Sequence, residues 1–242
     1  MTTSTTPATV VLVHGAWHGP WCFDKVVAGL EARGVPVVAV ERRRLHEPSG
    51  ELRGVTDSDE NEAIVRAAFD QVDGPIVALG HSFGGVSLTT APLGNDDVKH
   101  LVYLTAIMPD TDGSIPDNFA NPVLVGAIQP GEDGSTTVQE DLIRPIFYGQ
   151  CTDEDYERAM SELVRDEAAI PLGDVPRDTA WSKITTTYVV CTEDQALLAE
   201  GQRTLARRAD RVVEWATDHS PFFSAPNLMV DLLDGLAREY AG

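Results

Sequence analysis

Residues 75–85 read Pro-Ile-Val-Ala-Leu-Gly-His-Ser-Phe-Gly-Gly. Ile76 to Leu79 is a short apolar run that predicts a buried strand, and the residues after Gly85 (Val86, Leu88, Ala91) open a helical pattern. Between them Gly80-His81-Ser82-Phe83-Gly84 fits G-x-S-x-G, a turn that holds a serine between strand and helix with its hydroxyl projecting from the sheet edge. Such a turn brings the two backbones together and forces the serine into strained φ/ψ, so Gly80 and Gly84 have a steric reason to lack side chains.

On either side of this turn the chain alternates strand and helix patterns. Val10–Val13 predicts a strand, Trp21–Arg33 a helix whose inner face carries Phe23, Val26, Val27 and Leu30, and Val35–Val40 a second strand. Asp57 is placed to cap a helix over Glu60–Val72, and Val98–Thr105 is a strand after the serine turn. From Pro109 the rhythm breaks. Pro116, Pro122, Pro130, Pro145, Pro171 and Pro176, several glycines and a helical stretch at Asp153–Arg165 predict an insertion at about 109–180 over the sheet edge. The alternation then resumes with a strand at Ile184–Cys191, a helix at Ala196–Ala209, a strand at Arg211–Ala216 and a terminal helix at Asn227–Tyr240. The expectation is one α/β domain over 1–242, a mostly parallel sheet of about six strands with helices on both faces. Ligands of such sheets bind at the carboxyl ends of the strands.

At 242 residues the chain is long enough for one large α/β core. Its net charge of −20 opposes binding to nucleic-acid phosphates or anionic membranes. Three scattered cysteines, Cys22, Cys151 and Cys191, make no disulfide framework and point to a reducing, cytoplasmic setting. The first residues lack the basic start of a signal peptide, and the longest apolar stretch, Leu101–Met108, is too short to span a bilayer. The sequence contains neither H-E-x-x-H nor G-x-x-x-x-G-K-[ST], so no metal or nucleotide cofactor is expected.

A serine hydroxyl needs a base within hydrogen-bond reach, itself oriented by a third group. Of the six histidines, His14 and His18 lie in the first loop, His46 in a polar loop, His81 beside the serine and His100 at a strand start. His219, in the loop after the last predicted strand, is best placed to reach back to Ser82. The acid should lie at another strand end before His219 in the chain. Asp194 fits, with Glu193 and Asp110 as alternatives; Asp218 is disfavoured because adjacent loop residues rarely face each other well. A developing oxyanion needs backbone donors, for which Phe83 N–H and Ala16 N–H are the candidates; losing one such donor typically costs about 3 to 4 kcal/mol of barrier. Trp17, Met108, Phe119, Phe147, Tyr148, Trp181 and Phe222 are candidates for an apolar substrate pocket.

With these pieces assembled, the chain resembles the α/β-hydrolase superfamily, in the branch of plant methylesterases, hydroxynitrile lyases and bacterial esterases. The resemblance rests on separated matches in order along nearly the whole chain: HGAWHGPW at 14–21, GHSFGG at 80–85, LTAIMPD at 104–110, TEDQALLAEGQ at 192–202 and DHSPFFSAP at 218–226. It implies a triad of Ser82, Asp194 and His219, oxyanion amides at Ala16 and Phe83, and a cap at 109–176 over a buried pocket. The lyases of the group are expected to carry Thr in the first loop and Lys directly after the catalytic His. Here those positions are Gly15 and Ser220, which favours hydrolysis of a small, largely apolar or aromatic ester. C–C cleavage, lyase chemistry or a binding protein on the same scaffold are the alternatives, with a monomer or homodimer expected. Relatives often carry Pro shortly after the acid, where this chain has Leu198-Ala199.

Overall fold

A computed structural model describes residues 6–42, 58–164 and 178–242. His46, Asp57, Pro171 and Pro176 lie outside the described residues. The first half of the chain runs β1 (Thr9–Val13), a 3-10 turn (Pro20–Phe23), α1 (Asp24–Glu31), β2 (Val37–Val40), α2 (Ser58–Asp70), β3 (Ile76–His81), α3 (Gly84–Thr90) and β4 (Val98–Leu104). After residues 109–180 come β7 (Thr186–Cys191), α7 (Ala199–Ala206), β8 (Arg211–Trp215), α8 (Pro221–Ser224) and α9 (Pro226–Glu239). The expected helix at 21–33 is divided: Trp21–Phe23 form the tighter turn behind Pro20, and the α-helix begins only at Asp24.

These strands form one six-stranded sheet in the order β2-β1-β3-β4-β7-β8, every neighbouring pair parallel. β3 and β7 are buried along their whole length, as strands covered on both faces are, and the buried Thr186 and Thr187 hydroxyls of β7 are bonded to Ile184 O and His100 Nε2. The edge strands β2 and β8 are partly exposed, and β8 carries Arg211 paired to Glu239 and Glu214 paired to Arg203. Charged side chains of this kind discourage edge-to-edge association. α1 packs on α9 so closely that a Cβ on Gly29 would lie 2.6 Å from Val230 Cγ2.

One consequence of the strand order positions everything that follows. The chain moves outward from β1 to β2 and then returns to place β3 on the other side of β1, so β1 and β3 are neighbours at the point where the winding reverses. Val13 is in register with Gly80, which brings the loop after β1 against the turn after β3. Crevices at such reversal points, outside the carboxyl ends of the strands, are where open α/β sheets bind ligands.

The described residues between β4 and β7 contribute no strand to this sheet. They form α4 (Pro122–Ala127), a two-stranded antiparallel pair of β5 (Ile128–Pro130) and β6 (Thr136–Val138), α5 (Glu140–Phe147) and α6 (Asp153–Glu162). Asn121 and Thr152 cap α4 and α6 by accepting Val123 N–H and Asp155 N–H on their side-chain oxygens. The expected helix at 153–165 ends at Glu162. Among the described residues no helix is long and apolar enough to cross a membrane.

Candidate active site

Ser82 occupies the turn between β3 and α3 with φ +51, a left-handed conformation that a non-glycine residue rarely adopts. The surroundings hold it there: Ser82 N–H donates to Leu104 O at 3.3 Å, while its carbonyl accepts Gly85 N–H at 3.2 Å and Ile107 N–H at 3.0 Å. The flanking glycines are required by contact. A Cβ on Gly80 would lie 3.0 Å from the Gly84 backbone, and one on Gly84 would lie 2.5 Å from the Val13 carbonyl and 2.7 Å from that of His14. Ser82 itself remains partly exposed.

His219, four residues beyond β8, is 2% exposed and its Nδ1 donates to Asp194 Oδ2 at 2.7 Å. Asp194, three residues beyond β7, is brought beside it because the two strands are neighbours and their loops are zipped by Thr192 N–H to Trp215 O and Glu193 N–H to Thr217 O. The carboxylate is saturated with donors. Oδ1 takes Ala196 N–H at 2.6 Å and Leu197 N–H at 2.9 Å, while Oδ2 also receives the Thr105 hydroxyl and, at 3.4 Å, Gln202 Nε2. The other carboxylates considered as partners are elsewhere. Glu193 is exposed, and Asp110 pairs with Arg208. Asp218 is turned away from its neighbouring imidazole and accepts Gln150 N–H, Ser220 N–H and Ser224 Oγ–H, which ties the histidine loop to the segment after α5.

Three further histidines brace this centre, and sequence reading had assigned them no part. Arg42 N–H donates to His14 Nε2, so Nδ1 carries the proton and donates to Gly15 O at 2.8 Å, holding the peptide plane that bears Ala16 N–H. His18 Nδ1–H donates to Ala16 O at 2.7 Å, fixing the next peptide plane, and its Nε2 accepts the Tyr148 hydroxyl at 2.7 Å. His81 Nε2–H donates to the His219 carbonyl at 2.9 Å, with the two rings 4.7 Å apart. The residue before Ser82 thus anchors the backbone of His219.

Burial lowers the His18 pKa to about 4, opposed by its bond to Ala16 O and reinforced by the nearby His219. Burial likewise holds His81 well below the ordinary imidazole range, with the charges of His219 and His18 acting in the same direction. Both rings are therefore neutral braces at pH 7, each with one fixed donor. The H-x-x-x-H spacing of the first loop was visible in the sequence, but which carbonyl each ring would meet was not.

The apolar candidates separate into two groups. Phe147 lies 5.5 Å from the His219 ring, Phe222 packs edge-on to His81 at 5.0 Å, and Tyr148 reaches the site through His18. Trp17, with φ +60, packs tilted against Phe147 with ring centroids 5.8 Å apart and donates Nε1–H to Thr136 of β6. Trp17 and Phe147 form one wall of a cavity of about 360 Å³ whose other sides come from β6, α5 and α6. Trp181 instead donates to Pro109 O beneath Arg208, Met108 is fully buried, and Phe119 packs its backbone against Gly201 of α7. None of these last three lines that cavity.

The sequence profile of the alpha/beta hydrolase family matches residues 10–232. The chain belongs to that family. Within it, this hydrolase is 30% identical to Methylesterase 1 of Arabidopsis thaliana over 95% of its own length and 96% of the relative's. It is 26% identical to a pyrethroid hydrolase of Sphingobium wenxiniae, over 94% and 87% of the two chains. The crystal structure of a pyrethroid hydrolase from Sphingobium faniae superposes with a TM-score of 0.81 at 24% identity, covering 96% of this chain and 97% of that one. Polyneuridine aldehyde esterase superposes with a TM-score of 0.80 at 21% identity, over 96% and 99%. These likenesses establish the α/β-hydrolase fold and the methylesterase-like branch.

Proposed function

We propose that this protein hydrolyses carboxylic esters through an acyl-enzyme on Ser82, with His219 as general base and acid and Asp194 as its orienting carboxylate. The observation that carries this reading is the buried His219 to Asp194 pair, anchored through His81 to the strained turn that presents Ser82. In the reaction, His219 Nε2 takes the Ser82 proton as Oγ attacks the ester carbonyl. Asp194 holds Nδ1–H and stabilises the imidazolium that forms. The oxyanion is received by Phe83 N–H, at the start of α3 where helix amides lack internal partners, and by Ala16 N–H, whose peptide is held through His14. His219 then protonates the departing alcohol, and water repeats the cycle on the acyl-enzyme.

The substrate we propose is a small, largely apolar ester, because Phe147 and Phe222 flank the histidines and Trp17 and Phe147 wall the adjoining cavity. The relatives named methylesterases support the ester class. Residues 109–180 are read as a cap within a single domain. Gly15 supports hydrolysis over lyase chemistry, since any Cβ there would lie 2.7 Å from Ser82 Cβ and leave no room for a threonine. Three buried, unpaired cysteines support a cytoplasmic setting.

Hydrolysis of p-nitrophenyl acetate and butyrate by the wild type and Ser82→Ala tests the proposal. Activity and fluorophosphonate labelling should both vanish in the variant. Wild-type rates from Ser82→Ala would end the assignment.

A further inference from the structure

Thr105, one residue beyond β4, combines features that no packing requirement explains. It is fully buried, and its φ of +38 places a β-branched residue in the left-handed region, where such side chains are genuine outliers. Its hydroxyl donates to Asp194 Oδ2, the same oxygen that receives His219 Nδ1–H. The unusual backbone is enforced from both sides. Thr105 N–H donates to Val189 O at 2.8 Å, and the buried Tyr188 hydroxyl takes Ala106 N–H at 3.2 Å while donating to Ala106 O at 2.7 Å. Two residues on, Ile107 N–H holds the Ser82 carbonyl. One short strand of chain therefore grips the acid with a side chain and the nucleophile with its backbone. Strained conformations persist where the surrounding structure over-determines them, and an observed outlier of this kind is a pointer to function.

We propose that Thr105 is a positioning residue for the reaction, acting through Asp194. Its hydroxyl fixes the carboxylate plane so that Oδ2 meets His219 Nδ1, and the 105–107 segment sets the separation of acid and nucleophile. The proposal rests on the triad reading above. Ala196 and Leu197 hold Oδ1, so the Thr105 hydroxyl and His219 are the close donors to Oδ2, and losing the hydroxyl loosens the carboxylate on the side that meets the imidazole. The effect falls on the chemical step, since Thr105 is not among the residues lining the adjoining cavity, and substrate binding is left unchanged.

Steady-state kinetics on p-nitrophenyl butyrate with Thr105→Val and Thr105→Ser, each also in an Asp194→Asn background, test this. Valine keeps the shape and the branched Cβ but removes the hydroxyl; serine restores it. Thr105→Val should lower kcat by about 10- to 100-fold. KM should stay within about twofold, since only an interaction strengthened in the transition state is lost. Thr105→Ser should stay within about threefold of wild type, and the valine effect should shrink below about threefold once Asp194 is asparagine, because the two residues act as one unit. Unchanged kcat in Thr105→Val while Ser82→Ala is inactive overturns the role of Thr105 alone. An equal loss in both backgrounds also overturns it, because a merely structural defect ignores the identity of residue 194. Activity surviving in Ser82→Ala overturns the triad and this proposal with it. Should Thr105→Val fail to fold, Thr105→Ala, which only removes atoms, is read by the same criteria.

Discussion

His100→Gln isolates the part that one buried imidazole plays in acid sensitivity. His100 lies in β4 with no exposed surface, its Nε2 2.8 Å from Thr187 Oγ1 and its Nδ1 3.2 Å from the Tyr240 hydroxyl. Its pKa is lowered from 6.5 to about 4, chiefly by burial and then by the charge of Arg211, with Glu239 and Asp210 opposing. The unfolded chain takes up this proton near pH 6.5 and the folded chain only near pH 4. Between those values the unfolded state binds more protons, so acid favours unfolding. The contribution of a neutral His100 is therefore fully present above pH 6.5 and is lost as pH falls toward 4. Linkage over that interval gives a loss of about 2 kcal/mol between pH 7 and pH 5, and about 3 kcal/mol once pH is below both values. The variant loses hydrogen bonds at every pH but cannot titrate at this position, so subtracting it cancels the carboxylates. Urea unfolding of both proteins at pH 7 and pH 5 should show the wild-type advantage smaller by about 2 kcal/mol at the lower pH. An advantage that is unchanged or larger at pH 5 would refute the argument that burial keeps this ring neutral.

Other outcomes follow from the same geometry. Asp194→Asn should lower kcat for p-nitrophenyl butyrate by roughly 10⁴, the scale seen when a triad carboxylate is replaced by its amide; a drop below tenfold would remove Asp194 from the machinery. Gly84→Ala should give insoluble or strongly destabilised protein, since its Cβ meets two backbone carbonyls of the β1 end that have no freedom to move. Gly235→Ala, on α9 with nothing within 4 Å of the added atom, should raise stability by about 0.4–1 kcal/mol in the same denaturation assay. A loss at position 235 equal to that at 84 would contradict the contact argument.

Most of the architecture was legible along the chain because it depends on local periodicity. Strands such as Val10–Val13 and Ile76–Leu79 are continuous apolar runs, which is what burial on both faces of a parallel sheet demands, and the glycines around Ser82 mark a turn only they can make. Boundaries were less legible: the first helix starts at Asp24 rather than Trp21, and the sixth ends at Glu162. In both places the apolar pattern continues into a turn or loop, and periodicity alone cannot register where hydrogen bonding changes. The choice among Asp194, Glu193 and Asp110 needed neighbours from other strands, and so did the separation of Phe147 and Trp17 from Trp181 and Met108.

What the sequence by itself determined was the kind of sheet and the turn that presents Ser82, because each depends on residues close together in the chain. Tertiary structure alone decided which carboxylate meets His219, that His14, His18 and His81 each hold a particular carbonyl, and that Thr105 reaches Asp194 from a strained position. The His81 and Thr105 bonds join segments 138 and 89 residues apart and are set by strand order and register, while His14 and His18 bond carbonyls one and two residues away, with Arg42 and Tyr148 from other segments meeting the far side of each ring.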